Sequence, residues 1–242
     1  LEFPVQDTVP AIQELTEIEA MSDTEILFSS FPMSPTRRGV TIPISRQLML
    51  QSTIDMQNFV INAIGEAFAQ KLNAEAIANL LTIIITGNGN LLALDTVGAL
   101  ATYEDIVALE GLVESYNHDR GNPAYLTNTK IRSLLKTTQI FTGTSGQPVW
   151  SEQGMLNGHK AVVSNIVPSN LTKSTGTNLS PIIFGNFSDF MVGSWGGTEY
   201  IIDPYSAKRK AQIEVTANAF WAMKAARVKS FAGIKDAISA RP

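Results

Sequence analysis

The stretch PIIFGNFSDFMVGSWGGTEYIIDPY, residues 181–205, holds three phenylalanines, one tryptophan and two tyrosines beside four glycines. Three of those glycines, Gly193, Gly196 and Gly197, suit a turn, because glycine adopts positive φ angles and allows close backbone approach. The aromatic residues on either side suit a buried surface, and only three acidic side chains interrupt them. The stretch therefore predicts a strand–turn–strand unit that buries aromatic rings.

The composition excludes several classes of site. The chain has 242 residues and no cysteine, so disulfides and thiolate metal sites are ruled out. A net charge of −4 gives no overall bias toward nucleic acid or an anionic membrane. The longest apolar run, residues 80–86, is too short to cross a bilayer. We expect no cofactor, no metal and no membrane contact.

Outward from the opening stretch, the clearest periodicity predicts one long helix over residues 54–82, with Ser52 or Thr53 as its cap and Asp55 in its first turn. We expect this helix to dock against a strand that contains Trp221 and Met223. That strand is predicted from the alternation of apolar residues over 211–234. Before the long helix, residues 25–44 predict a hairpin with little core of its own, which projects or lies on another element. A second helix is predicted at 103–116, and a short strand and helix follow it.

Few residues have the pattern of a reactive site. GNGN, residues 87–90, lacks the Lys-Ser or Lys-Thr of a phosphate-binding loop, and no nucleophile elbow is present. The only histidines, His118 and His159, fall in polar turns, where a solvated side chain is the expectation. The basic run Lys208, Arg209 and Lys210 has three interpretations: a solvated loop, a nucleic-acid contact, or half of an ion pair between subunits.

Taken in order, these segments resemble the major capsid proteins of tailed phages with the Hong Kong 97-like fold. Residues 41–77 resemble the strand, entry turn and spine helix of that family, and TGNGN (86–90) resembles the turn that follows. TYEDIVALEGLVE (102–114) and AYLTNTKIRSLLKT (124–137) resemble the next helices and strand. FGNFS, residues 184–188, resembles the FGDFS-like turn before an aromatic hairpin and departs from it at Asn186.

The resemblance implies an α+β Hong Kong 97-like capsid fold. It divides the chain into an N-terminal segment with extended loop (1–44), a peripheral domain with spine helix (45–99), an axial domain (100–200) and C-terminal strands returning to the peripheral domain (201–242). It also implies that part of the N-terminus is missing from this chain. The rings of residues 181–205 are expected to close the core between the two domains.

The implied function is that of a non-enzymatic shell subunit, which assembles with copies of itself into an icosahedral phage or prophage head around DNA. Its implied partners are scaffold, protease and portal proteins, with DNA contacted by non-specific proximity only. The implied location is the virion capsid, assembled in the cytoplasm of the bacterial host. Arg37 and Arg38, at the predicted tip of the extended loop, are expected to meet acidic groups of a neighbouring subunit, as are Lys208, Arg209 and Lys210.

Some members of the family join subunits covalently through a lysine of the extended loop. No lysine precedes Lys71 here, so that crosslink is expected to be absent. Two other functions stay open from the sequence. One is an encapsulin-like compartment shell with the same fold, and the other is a mixed α/β enzyme that uses His118 or His159.

Overall fold

The computed structural model describes residues 2–6, 10, 12–15, 17–18, 20–52, 55–86, 90–117, 121–141, 146–151 and 153–239. Its α-helices are α1 Arg46–Gln51, α2 Met56–Thr86, α3 Tyr103–Glu114 and α4 Thr129–Thr137. Its strands are β1 Glu2–Gln6, β2 Phe28–Pro32, β3 Thr36–Ser45, β4 Leu91–Leu92, β5 Pro123–Thr127, β6 Met155–Leu156, β7 His159–Val163, β8 Leu171–Lys173, β9 Gly176–Asn186, β10 Phe190–Ser194, β11 Glu199–Asp203, β12 Gln212–Ala225 and β13 Phe231–Ile238.

Two larger sheets and one separate strand pair organise these elements. β12 is the central strand of a four-stranded sheet, and β3, β10 and β11 each pair with it. A seven-stranded sheet has the order β4-β13-β9-β5-β7-β6, with β8 paired to β9. The strands β1 and β2 form an antiparallel pair of their own.

Helix α2 joins the two larger sheets. Its first half packs on the four-stranded sheet, where Ile64 lies among Ile44, Val215 and Ala217. Its last turns pack on the seven-stranded sheet, where Leu80 and Ile84 belong to one cluster with Ile183 and Phe231. The predicted single helix and its docking on the Trp221 strand are therefore confirmed. The side chain of Asp55 caps it by accepting hydrogen bonds from the backbone N–H groups of Gln57 at 3.1 Å and Asn58 at 3.3 Å.

The seven-stranded sheet is covered on both faces. Helices α3 and α4 bury one face through a cluster that contains Ile106, Leu109, Ile131, Tyr125 and Phe184. Because side chains alternate along a strand, Leu126 and Ile183 point to the other face, toward α2. This double burial explains why residues 179–186 of β9 are buried without interruption.

The predicted hairpin over residues 25–44 is wrong. Its two arms both form strands, but they do not pair with each other. β2 pairs with β1, and β3 pairs with β12 from Ser45↔Gln212 to Thr36↔Trp221. The hairpin of this region is therefore formed by β1 and β2, joined by residues 7–27. The alternation of side chains along a strand does not encode which other strand it pairs with. Here β1 lies upstream of β2, and β12 lies far downstream of β3.

The predicted strand–turn–strand unit over residues 181–205 is also wrong. Residues 181–186 complete β9, and β10 and β11 run in the same direction along β12. The glycines interrupt this edge instead of reversing it: Gly196 has φ of +77° between the two strands. Of the rings in this stretch, Phe184 is buried, and Phe187 and Phe190 are half-buried and packed edge-on against Phe231. Tyr200 and Tyr205 are exposed.

The strand predicted over residues 211–234 consists of two strands. β12 ends at Ala225, and a short 3-10 helix, Val228–Ser230, leads into β13. β13 joins the seven-stranded sheet beside β9, whereas β12 belongs to the four-stranded sheet. Just before β13, the backbone passes very close to Gly185 of β9. A Cβ atom at Gly185 would lie 2.4 Å from the carbonyl oxygen of Ser230. No helix within the described ranges has the length and apolar character needed to cross a membrane.

Candidate assembly surface

Arg38 lies on β3, opposite Ala219 of β12, and not at a solvated loop tip. Its guanidinium holds the carboxylate of Glu75 on α2 in a bidentate ion pair: Nε donates to Oε1 and Nη2 donates to Oε2, both at 2.9 Å. The side chains are 25% and 19% exposed, so the pair is shielded from much of the solvent. The placement predicted for Arg38 is therefore wrong, because the partner of its planar fork is in its own chain.

Two further groups complete the setting of Glu75. The indole Nε1 of Trp221 donates to Oε2 at 2.9 Å, and Lys71, one turn earlier on α2, has its Nζ 3.6 Å from Oε1. The Arg38 hydrogen bonds are the largest influence and lower the pKa of Glu75, and the Trp221 hydrogen bond adds to them, against the opposing effect of burial. The cluster joins α2, β3 and β12 at one point.

Sequence reasoning missed Glu75, although a signal was present. Glu75 follows Phe68 and Leu72 at spacings of seven and three residues, so it lies on the same stripe of α2 as apolar side chains. A carboxylate on a packed stripe has to find a cation or a donor. Arg37 and Arg38, on the strand β3 that precedes α2, each offer a guanidinium group, which is both a cation and a hydrogen-bond donor.

Arg37 has a different setting from that of Arg38. Because side chains alternate along β3, it points away from α2, and it is exposed. Its Nε donates to Oδ1 of Asn218 at 3.0 Å, across the strand pair. No ion pair within the described residues involves Arg37, so its charge is open to a partner outside the chain.

Lys208, Arg209 and Lys210 form a short 3-10 helix in the connection between β11 and β12. All three are exposed, and Ala211 follows with a left-handed φ of 51° that turns the chain into β12. None of the ion pairs formed by described residues includes any of the three. The structure therefore pairs the half-buried Arg38 within its own subunit and leaves Arg37 and the three cations of the connection at the surface.

Two buried polar clusters stabilise the seven-stranded sheet and its helices. In the first, Tyr125 donates to Oε1 of Glu110 at 2.5 Å, and Asn157 donates to Oε2 at 2.6 Å. Burial and this hydrogen bond raise the pKa of the Tyr125 hydroxyl well above its ordinary range. In the second, Lys173 pairs at 2.5 Å with Asp236, which is fully buried on β13. Both are internal to the subunit.

The histidines do not form a reactive site in the described structure. His159 begins β7 and is half-buried, with its ring 5.2 Å from that of Phe184 and 6.4 Å from that of Tyr125. It is a packed side chain and not the solvated turn residue that we predicted. His118 lies outside the described residues. Within those residues, no group of three histidine, aspartate or glutamate side chains is placed to hold a metal ion.

Comparison with known proteins extends over nearly the whole chain. The sequence model of the phage capsid family matches residues 1–236. The major capsid protein of Halomonas phage phiHAP-1 is 25% identical over 187 residues, which cover 74% of this chain and 28% of that protein. The chain thus aligns with little more than a quarter of the length of that curated relative.

Solved structures agree on the fold. The capsid of a native GTA particle computed with C5 symmetry has a TM-score of 0.78 at 18% identity, over 98% of this chain and 84% of that one. A chain from Mycobacterium phage Adephagia has a TM-score of 0.77 at 11% identity, over 100% of this chain and 86% of that one. The predicted capsid fold is confirmed, and this chain belongs to the phage capsid family.

Proposed function

We propose that this chain is the major shell subunit of an icosahedral phage or prophage head that encloses DNA. The observation that carries the proposal is the family match over residues 1–236, supported by a fold that aligns over almost the full chain with solved capsid subunits. The role is structural, and we assign no catalytic step to it. The relatives reported above are phage and GTA capsid proteins, which favours a phage-type head over an encapsulin-like compartment.

In this proposal, the seven-stranded sheet with α3 and α4 forms the axial domain. The four-stranded sheet with the first half of α2 forms the peripheral domain. Arg37, Lys208, Arg209 and Lys210 contribute to contacts between subunits, because they are exposed cations without an ion pair in the described part of their own chain. Arg38 contributes indirectly, by holding β3 on α2 through Glu75.

The proposed partners are copies of the chain first, and the scaffold, protease and portal proteins of the phage second. DNA is contacted by non-specific proximity alone, since a net charge of −4 gives no overall bias toward nucleic acid. Assembly takes place in the cytoplasm of the bacterial host, and the product is the virion capsid. Each contact between subunits is modest, but a subunit in a closed shell makes several at once, so the later contacts are effectively intramolecular.

The test is expression of the chain alone, followed by sedimentation and negative-stain electron microscopy. We expect closed particles of uniform size, and a purely monomeric protein over a wide range of concentration and salt would contradict the proposal. Particles produced in bacteria are then treated with nuclease and analysed for their contents. Protected nucleic acid supports a head, whereas a defined protein cargo without nucleic acid identifies a compartment shell.

A further inference from the structure

Charge is segregated within residues 101–188, which form most of the seven-stranded sheet and the two helices on one of its faces. Residues 101–119, which include α3, contain five acidic residues and no lysine or arginine. Residues 120–188, which include α4, contain six lysines and arginines and a single acidic residue, Glu152. The mild net charge of the whole chain therefore conceals a basic region that follows an acidic one.

Helix α4 concentrates the positive charge of this region. Lys130 and Lys136 are exposed and Arg132 is half-buried, whereas the three aliphatic side chains of the helix are buried. The helix contains no acidic residue. No ion pair formed between described residues includes any of its three cations. The solvent side of α4 is thus a basic face about 9 Å long from Lys130 to Lys136, at 1.5 Å per residue.

The placement of these charges disfavours the helix itself. Arg132 and Lys136 are four residues apart, and like charges at this spacing repel each other on a helix surface. Lys130 lies in the first turn, where the helix macrodipole favours an anion. Only Lys136, in the last turn, is favoured by the macrodipole. Since no carboxylate within the described ranges pairs with these cations, an external anion along α4 would relieve both unfavourable interactions.

The chemistry of this face favours phosphate groups over a protein partner. Contacts between proteins centre on aromatic or aliphatic side chains that become buried, and the aliphatic side chains of α4 are already buried in its own subunit. The helix contains no aromatic residue on which an unpaired base could stack, so a double strand fits better than a single strand. A face about 9 Å long spans about three phosphates of one strand, at 3.4 Å per phosphate along the duplex axis.

The basic run at 208–210 has a different setting, although it also contains three exposed cations. Asp203 and Glu214 lie opposite each other on β11 and β12, the two strands that this run connects. Hydrogen bonds from the Ser206 side chain and from the backbone N–H of Tyr205 lower the pKa of Asp203, so this carboxylate is ionised at neutral pH. Carboxylates therefore lie near the run at 208–210, whereas α4 has none of its own.

We propose that the exposed face of α4 binds the phosphate backbone of duplex DNA, with Lys130, Arg132 and Lys136 each contacting a phosphate. The binding is independent of base sequence, because contacts to phosphates carry no sequence information. The acidic residues of α3, on the same face of the sheet, repel the backbone and confine the contact to α4. This inference goes beyond the proposed function, which assigns DNA no binding surface on the chain.

Fluorescence anisotropy with a labelled DNA duplex of mixed sequence tests the contact, at protein concentrations below those at which the chain assembles. The test variant combines Lys130→Gln, Arg132→Gln and Lys136→Gln. The control variant carries glutamine at all three positions of 208–210 and loses the same charge. Urea unfolding midpoints of the test variant should equal or exceed that of the unsubstituted chain, because the repulsion between Arg132 and Lys136 is removed.

We expect the test variant to bind the duplex about ten-fold or more weakly at low salt, and the control variant to bind within about two-fold of the unsubstituted chain. A plot of the logarithm of the association constant against that of the salt concentration should have a slope of about −2.7, and Arg132→Gln alone should reduce its magnitude by about 0.9. Equal binding by the test and control variants would overturn the proposal.

A second outcome would also overturn it. If the test variant keeps its affinity for the duplex but loses self-association in sedimentation, α4 is a contact between copies and not a DNA surface. The binding measurement uses the unassembled chain, so it is decided separately from particle formation. A chain that binds the duplex through α4 but forms no particles would contradict only the proposed function.

Discussion

At the scale of single residues, the two adjacent arginines of β3 have opposite roles. Arg38 is bound inside the subunit by Glu75, whereas Arg37 is exposed and donates only to Asn218 among the described residues. We expect Arg38→Ala to lower the free energy of unfolding by about 2 kcal/mol, because it leaves a largely buried carboxylate without its main partner. Arg37→Ala is the matched control and should cost less than about 0.5 kcal/mol.

Urea denaturation of the three proteins measures the difference. Equal losses in the two variants would contradict the assigned roles. A variant that combines Arg37→Ala with Arg38→Ala would not report on assembly alone, because it removes the internal Arg38–Glu75 pair together with the exposed charge of Arg37. Assembly should therefore be examined with Arg37→Ala alone.

The depressed pKa of Glu75 predicts a pH dependence of stability. Its folded pKa lies below the ordinary value of 4.5, chiefly through the hydrogen bonds from Arg38. The ionised carboxylate therefore stabilises the fold fully above the unfolded pKa, and this contribution is lost as the pH falls through the folded pKa. We expect Glu75→Gln to be less stable than the unsubstituted chain at pH 7 and pH 5, and the gap to shrink below about pH 4.5.

Urea unfolding at each pH gives the gap directly. Glu66→Gln is the control, because Glu66 is on the same helix but exposed. Its effect should be small at every pH. A gap for Glu75→Gln that stays constant down to pH 3 would mean that the ionised carboxylate is not what stabilises the cluster.

At the scale of elements, the long helix shows what periodicity can establish. Helix α2 runs through Gly65 without a break from Met56 to Thr86. A Cβ atom at Gly65 would meet only the hydroxyl of Tyr200, at 3.8 Å, which is ordinary contact. We expect Gly65→Ala to raise the free energy of unfolding by up to about 1 kcal/mol, because alanine favours the helix and restricts the unfolded chain.

Gly185→Ala is the contrasting variant in the same measurement. Its Cβ would lie 2.4 Å from the carbonyl oxygen of Ser230 and 2.6 Å from Cδ1 of Phe231, so β9 and β13 would have to separate. A loss of about 2 kcal/mol or more is expected from such overpacking. Two glycine variants with the same effect would contradict this account of where the backbone needs glycine.

Elements were predictable where their signal was local, and pairing was not. The apolar stripe of α2 depends on residues three or four apart, so the sequence alone places that helix within a few residues. The partners of β2 and β3 depend on β1 and on β12, which lies more than 160 residues further along the chain. The glycines after β10 signalled a reversal, but Gly196 only interrupts an edge that continues along β12.

The candidate surface was predictable to a similar extent. The run at 208–210 stands out by charge and is exposed as a solvated loop would be. The acidic composition of residues 1–27 is visible in the sequence, but only the structure shows that the β1–β2 pair lies at one end of β12. The Glu75 cluster required the pairing of β3 with β12, which brings Arg38 and Trp221 to the same stripe of α2.

At the scale of the whole molecule, α2 joins the two sheets, because it packs on both of them. It contributes Ile64 to the core of the four-stranded sheet, and Leu80 and Ile84 to a face of the seven-stranded sheet. The β1–β2 hairpin is different, because Phe31 of β2 and the following Met33 are buried, while the described residues between its two strands are exposed except for the half-buried Gln13. A rigid body with one projecting element suits assembly, since the element can adjust to a neighbour without disturbing either core.

The last prediction concerns how such neighbours are held. A covalent bond between a lysine of a projecting loop and an asparagine of the next subunit would need an amine in that loop, and no lysine occurs before Lys71. Lys71 itself lies on α2 beside Glu75 and not on the hairpin. Assembled shells boiled in detergent should therefore run as one band at the mass of the single chain. The same shells treated with glutaraldehyde serve as the control and should give a ladder. A ladder without that treatment would show that another amine of the body reaches a neighbour, and peptide mass spectrometry would identify the lysine.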